Sequence, residues 1–288
     1  MANLRDIRRR IKSVKNTAQI TKAMEMVAAS KMRKAQQAAI NGRDYAQLMN
    51  RVIVSVRDAV DPNCHALLAR REVRQELVLL LSTDKGLCGG LNTNLFREAL
   101  AFDKETTSFV CVGRKGAQFI ARMGRKMLAD FPLRDHPTFL ETKKISKFCI
   151  DQFLDGSVDK VTVLFPMFVN TLTQQPKAMP LLPITSLEEI GLTNQFENME
   201  THNGSIEFEP GASEVLDAIL PAYLHFGVYQ TLLGTRASEQ SARMVAMKNA
   251  TDNAKNLVKD LTLEYNKARQ ANITKEILEI STAQLALG

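Results

Sequence analysis

Apolar and small residues recur every three or four positions from the start of the chain. Leu4, Ile7, Ile11, Val14, Ala18 and Thr21 are followed by Ala28, Met32, Ala35 and Ala39, then by Ala46, Met49, Ile53 and Val56. The missing steps fall on Glu25 and Gly42. This is a heptad seam, the pattern that makes two helices wind around each other. No proline occurs before Pro62, so the spacing predicts one helix through residue 56, on the order of 80 Å long. Its many alanines let a partner helix approach closely. Thr21, Glu25 and Gly42 weaken it locally.

A second seam runs through Leu216, Ile219, Tyr223, Phe226, Gln230, Leu233, Ala237, Gln240, Met244, Met247, Thr251, Ala254, Val258, Leu261, Tyr265 and Ala268. It predicts a helix on the order of 110 Å long. Near Asn272 the register slips by one and Ile273, Ile277 and Ile280 take over, a change that locally alters supercoil winding. From Ile280 to Gly288 no side chain is charged. That tail reads either as a fraying end or as an apolar tip held in a sleeve of another protein. A single chain buries both seams most simply by pairing the terminal helices antiparallel, which leaves part of the longer one for partner surfaces.

Between the seams the periodicity changes. Residues 76–83, 109–113 and 160–166 read as buried strands, 171–182 as a further extended segment, and 91–102, 115–123 and 145–154 as helices. The expected fold class is therefore α/β with long terminal helices. An antiparallel coiled coil (residues 1–60 with 211–286) accompanies a central, doubly wound, largely parallel α/β domain (72–210). Residues 183–210 are polar and irregular, with Asn203-Gly204 as a turn.

Charge sharpens this picture. The net charge of the 288-residue chain is +7, yet its first 43 residues carry eleven basic residues against Asp6 and Glu25. The basic excess thus belongs to one helix, an electrostatic footprint for an acidic partner. Aromatics are 6% with no Trp, suiting long helices better than a large core. Cys64, Cys88, Cys111 and Cys149 have no metal-ligand spacing and read as reduced thiols. No apolar run is long enough to span a membrane. The Arg-rich start imitates a transit peptide, but the seam beginning at Leu4 assigns it to the helix.

One motif invites an enzymatic reading. The run Ser82 to Thr93, STDKGLCGGLNT, is a strand end, a glycine-rich turn and a helix start, and such turns can hold phosphate on backbone amides. It matches neither GxxxxGK[ST] nor GxGxxG. Gly86, Gly89 and Gly90 are expected to permit a tight turn or a close backbone approach. His65, His136, His202 and His225 are scattered, and no HExxH or GxSxG motif occurs. The two alternatives are a nucleotide-binding α/β enzyme using the Gly86–Gly90 turn and a basic coiled-coil protein binding nucleic acid. Neither explains the second long helix with its uncharged end.

Three blocks carry a resemblance over the whole chain: residues 20–33 (ITKAMEMVAASKMR), the glycine turn at 82–93, and 237–258 (ASEQSARMVAMKNATDNAKNLV) followed by 265–281 (YNKARQANITKEILEIS). Together they resemble the gamma-subunit family of rotary proton-driven ATP synthases, of bacterial type. The resemblance implies a non-catalytic central shaft. Its coiled coil would rise through a ring of alpha and beta subunits, and its α/β foot would sit with an epsilon subunit on a membrane ring of c subunits. It implies no cofactor, no metal, no direct nucleotide binding and no nucleic acid. Met24, Arg243, Arg269, Gln270, Thr274 and Glu276 are carried over as positions of beta-subunit contact and coupling, and Phe208 and Glu209 as foot positions near the c ring. Plastid relatives carry a cysteine-bearing insertion. No close Cys pair occurs here, so no thiol switch is expected. With the lack of a transit peptide, this favours a peripheral place on the cytoplasmic face of a bacterial inner membrane.

Overall fold

The computed structural model describes residues 4–42, 44–46, 48–49, 52–53, 65–69, 71–132, 135, 137–184, 209 and 211–287. The end of the first seam at Val56, Cys64, His136, His202, Phe208 and the Asn203-Gly204 turn lie outside them. In order the elements are α1 (Leu4–Asn41), β1 (Glu76–Leu81), α2 (Leu91–Ala101), β2 (Thr107–Val112), α3 (Arg114–Arg122), β3 (Met127–Phe131), α4 (Phe139–Leu154), β4 (Lys160–Phe168), β5 (Gln174–Leu182) and α5 (Ala212–Leu287). Two compact units result, one of Met1–Ala28 with Arg243–Gly288, the other of Ala29–Ala242.

The sheet has the order β3-β2-β1-β4-β5. β1 pairs in parallel with β2 and β4, and β2 with β3, while β5 runs antiparallel to β4. β1 and β2 are buried almost throughout, as expected for parallel strands covered on both faces. On one face Val78, Leu80, Phe109, Cys111 and Leu164 meet Leu95 and Ala99 of α2 and Ile120 of α3. On the other, Leu77, Leu79, Val110, Val161 and Val163 meet Ile145, Cys149 and Phe153 of α4 and Leu216, Leu220, Tyr223, Leu224, Val228 and Leu232 of α5. The sheet is thus doubly wound and largely parallel, between long terminal helices.

Several local expectations change. The sequence reading placed no strand at 127–131. β3 is an edge strand with a mostly exposed pattern, so it lacks the apolar run that marks its neighbours. α4 begins at Phe139, six residues before the expected start. A capping box sets this point: the Glu141 N–H donates to Thr138 Oγ1 (3.3 Å), and the Thr138 N–H donates to Glu141 Oε2 (3.1 Å). The extended segment expected from Thr171 starts at Gln174, because 170–173 form the tip of the β4–β5 hairpin, where Asn170 Oδ1 accepts from the N–H groups of Leu172 and Thr173. α5 also carries more than a seam. Leu220, Leu224, Val228 and Leu232 form a second stripe that enters the core of the sheet, and a helix apolar nearly all round is a buried helix.

Candidate functional site

In the unit of Met1–Ala28 with Arg243–Gly288, burial follows the seam. Ile7, Thr21, Ala28, Met247, Thr251 and Ala254 are buried, and the residues between them are largely exposed. The two threonine hydroxyls meet at 2.7 Å. Thr251 Oγ1 also lies 2.8 Å from Met247 O, and Thr21 Oγ1 3.1 Å from Ala18 O. One hydroxyl therefore donates to the other, which donates onward to its own helix, and neither threonine hydroxyl is left unpaired. Leu4 lies seventeen residues before Thr21, and Ala268 seventeen after Thr251. Ala268 is also the last half-buried side chain before the exposed run Arg269 through Thr282.

The carried-over positions divide into two groups here. Met24 is half-buried, one turn from Thr21, beside Glu25, whose carboxylate accepts from Lys22 Nζ at 3.0 Å. Arg243 is buried, whereas Arg269, Gln270, Thr274 and Glu276 are fully on the surface. They share that stretch with exposed Ile273, Ile277, Leu278 and Ile280. Glu209, in the other unit, is exposed.

In the unit Ala29–Ala242 the glycine turn lies at the carboxyl end of β1. There the chain reverses from crossovers on one face to the α4 crossover on the other, the place where doubly wound sheets bind ligands. Here several donors are already engaged within the chain. The Arg114 N–H, at the head of α3, donates to Asp84 Oδ1 (2.9 Å), the Lys115 N–H to Thr83 O (3.0 Å) and the Gly116 N–H to Ser82 Oγ (2.8 Å). Asn92 Nδ2 donates to Thr83 Oγ1 at 2.8 Å. α5 packs onto the turn: Ala242 forms an apolar cluster with Cys88 and Leu91. Arg236, 3% exposed, places Nη2 3.7 Å from Asp84 Oδ2 and bonds Glu239 through Nη1. Nearby, Ser241 Oγ donates to Thr171 O of the β4–β5 hairpin (2.8 Å). The crevice that holds a ligand in other doubly wound folds is filled by this chain's own helix.

The glycines behave differently from one another. Gly89 has φ 59° and Leu87 φ 61°. A Cβ at Gly86 would meet nothing, and one at Gly90 only ordinary contact. The close backbone approaches fall instead at two positions that sequence reading passed over. A Cβ at Gly113 (φ 99°) would lie 2.5 Å from Ser82 O, and one at Gly116 2.6 Å from Ser82 Oγ. Asp84, Arg236 and Glu239 were also passed over. Their sequence signal is slight: Asp84 and Glu239 lie inside the 82–93 and 237–258 blocks, and Arg236, just before the second, stands three residues from Glu239. Gly42, the break in the first seam, faces Gln230, and a Cβ there would overlap that amide.

Burial pushes the thiols of Cys111 and Cys149 up to about 12, which keeps them protonated and unreactive. Asp135 is held below the usual carboxylate range by its hydrogen bond from Lys31 Nζ (2.7 Å), with Lys85 and Arg236 adding to the effect. Among the described residues no cluster of His, Cys, Asp and Glu could hold a metal ion, and no helix is long and apolar enough to cross a membrane.

The family model described as ATP synthase matches residues 3–287. A gamma chain of ATP synthase from Opitutus terrae is 51% identical over 298 residues, covering 99% of each chain. The chain belongs to the ATP synthase gamma chain family. Among solved structures, the central stalk and c-ring of the Tetrahymena thermophila mitochondrial ATP synthase is similar with a TM-score of 0.60 and 26% identity, over 80% of this chain and 99% of that one. A chain of the Euglena gracilis mitochondrial enzyme reaches a TM-score of 0.69 at 18% identity, over 99% of this chain and 94% of that one, a likeness of fold. Membership gives the chain its work: it is the central rotor shaft, coupling rotation to the conformational cycle of the sites that make and hydrolyse ATP. The nucleotide-binding and nucleic-acid readings are not favoured.

Proposed function

We propose that this gamma chain is the non-catalytic shaft of its complex, turning without binding nucleotide itself. Residues 1–60 and 211–286 form the coiled coil, and 72–210 the foot. The coiled coil stands within a ring of alpha and beta subunits, while the foot meets an epsilon subunit and the c ring at the cytoplasmic face of a bacterial inner membrane. Phe208 and Glu209 lie on the c-ring side. Met24 slides past an acidic loop of beta, Arg269 and Gln270 grip a beta loop, and Arg243, Thr274 and Glu276 support coupling.

The observation that carries this reading is the changing burial of α5. Its residues from Leu216 to Ala242 are built into or against the sheet, a seam continues to Ala268, and from Arg269 through Thr282 every side chain is exposed. That is one continuous helix with a built-in root and a bare end, the form needed to carry rotation from one set of partners to another. A shaft shifts a catalytic subunit between states only by contacting those states unequally. Each proton crossing about 100 mV contributes about 2.3 kcal/mol, and several such steps must pass along α5 before an ATP is released.

The test is ATP hydrolysis by the matching alpha and beta subunits with and without the chain, alongside ATP binding to the chain alone. Stable assembly and stimulated turnover with no ATP on the lone chain are expected. Stoichiometric ATP binding by the chain, or no effect on turnover, would overturn the reading.

A further inference from the structure

In a shaft that binds no nucleotide the glycine turn needs another role, and it is tied to both α3 and α5. Its Asp84 carboxylate serves two elements at once, taking the Arg114 N–H at the head of α3 on Oδ1 and facing the Arg236 guanidinium of α5 with Oδ2. Arg236 is in turn bonded to Glu239, 2% exposed, one turn along the same helix. Elsewhere α5 meets the sheet through Leu216, Leu220, Leu224, Val228 and Leu232. Such packing is non-directional and by itself resists rolling or axial sliding of a helix poorly. The ion pair of buried Arg236 with Asp84, at 3.7 Å, adds an attraction that is strongest at one position and angle of the helix, and the bond to Glu239 holds the guanidinium in place for it. Arg236 and Ser241, whose hydroxyl holds the β4–β5 hairpin, are separated by little more than one turn of α5. The helix is thereby fastened to strands on both sides of the crevice.

We propose that the Asp84–Arg236–Glu239 cluster, seated on the glycine turn, is the joint that locks α5 to the sheet against torque, with Arg236 as its positioning residue. The proposal rests on the rotor role and adds where the foot grips the shaft. It also gives the turn its purpose: the place at which a doubly wound sheet ordinarily holds a ligand here holds a helix.

The joint is tested in the assembled complex in membrane vesicles, by measuring ATP hydrolysis and ATP-driven proton pumping against increasing opposing pH gradients. Asp84→Asn keeps an Oδ1 acceptor for the Arg114 N–H but removes the charge facing Arg236. It is expected to assemble and hydrolyse ATP normally, while protons pumped per ATP fall roughly threefold at the steepest gradient and not at the shallowest. Arg236→Met should slip at shallower gradients, and Asp84→Glu should restore tight pumping. Protons per ATP unchanged at every gradient in the Asp84→Asn complex would overturn the proposal. So would hydrolysis and pumping falling in parallel, or failure of Asp84→Asn to assemble, since each marks a purely structural ion pair. Failure of the rotor reading itself would show separately, as hydrolysis by the unaltered complex that does not depend on the chain.

Discussion

Ser82 arranges the top of the sheet with a single hydroxyl. It is fully buried, donates to the carbonyls of Val112 and Gly113, each at 3.1 Å, and accepts the Gly116 N–H. This works only because residues 113 and 116 have no side chain. Gly113→Ala combines a left-handed φ with a clash against the Ser82 backbone, and is expected to cost about 2–4 kcal/mol of unfolding free energy by denaturant titration. Gly86→Ala, in open space, is expected to cost less than about 1 kcal/mol. His225 is a different buried group. Its Nδ1 lies 2.7 Å from Ser146 Oγ, and burial lowers its pKa below 6.5, with Lys143 and Lys147 lowering it further against an opposing effect of Asp151. As pH falls below 6.5 the unfolded chain takes up a proton that the folded chain refuses, so His225 lowers stability progressively until its folded pKa is passed. Stability measured at pH 7.5 and pH 5.5 should therefore diverge more in the unaltered chain than in His225→Asn.

At the scale of elements the long helices meet at a buried polar step of the seam, the pair Thr21 and Thr251. The Thr21–Thr251 hydrogen bond is buried among small side chains, and a polar pair at a seam position specifies register. Replacing either threonine by valine removes the bond between the helices and leaves the other hydroxyl only the carbonyl of its own helix, whereas replacing both leaves no hydroxyl at the step. A double-mutant cycle should therefore return a coupling of about 1 kcal/mol, with the double variant more stable than the sum of the single losses predicts. A coupling indistinguishable from zero would leave the register to the apolar contacts alone. The seam was legible in the sequence because heptad spacing survives whatever lies around it, down to the break at Gly42, which proves to face Gln230. The second stripe of α5 was not. Leu220, Leu224, Val228 and Leu232 are indistinguishable by periodicity from ordinary helical apolar residues until the sheet that receives them is known. β3 escaped because an edge strand has little apolar pattern to show, and the joint at Arg236 escaped because its partner Asp84 lies 152 positions away in the chain.

At the scale of the whole molecule, stability and function are carried by different stretches. The buried residues of the sheet, of α4 and of α5 up to Leu232 hold the fold. From Arg269 through Thr282 the side chains of α5 are exposed and make their contacts within their own helix, such as Lys275 to Glu279. Substitutions there should leave folding almost untouched, because surface positions without partners contribute within about 0.5 kcal/mol. Their effect should appear only against partners. Arg269→Ala with Gln270→Ala is expected to leave the unfolding curve of the chain unchanged, while lowering ATP turnover of the reconstituted complex roughly tenfold or more, since a guanidinium gripping a carboxylate contributes about 1.5–3 kcal/mol. The measurement is paired: denaturation of the chain alone, and steady-state hydrolysis by the complex. A loss of stability would mean that these side chains serve the coiled coil. Unchanged turnover would place the grip elsewhere on the bare end, with Ile273, Ile277 and Ile280 as the next positions to alter. Side chains left exposed by their own chain from Arg269 through Thr282 are available to a surface that the helix moves against.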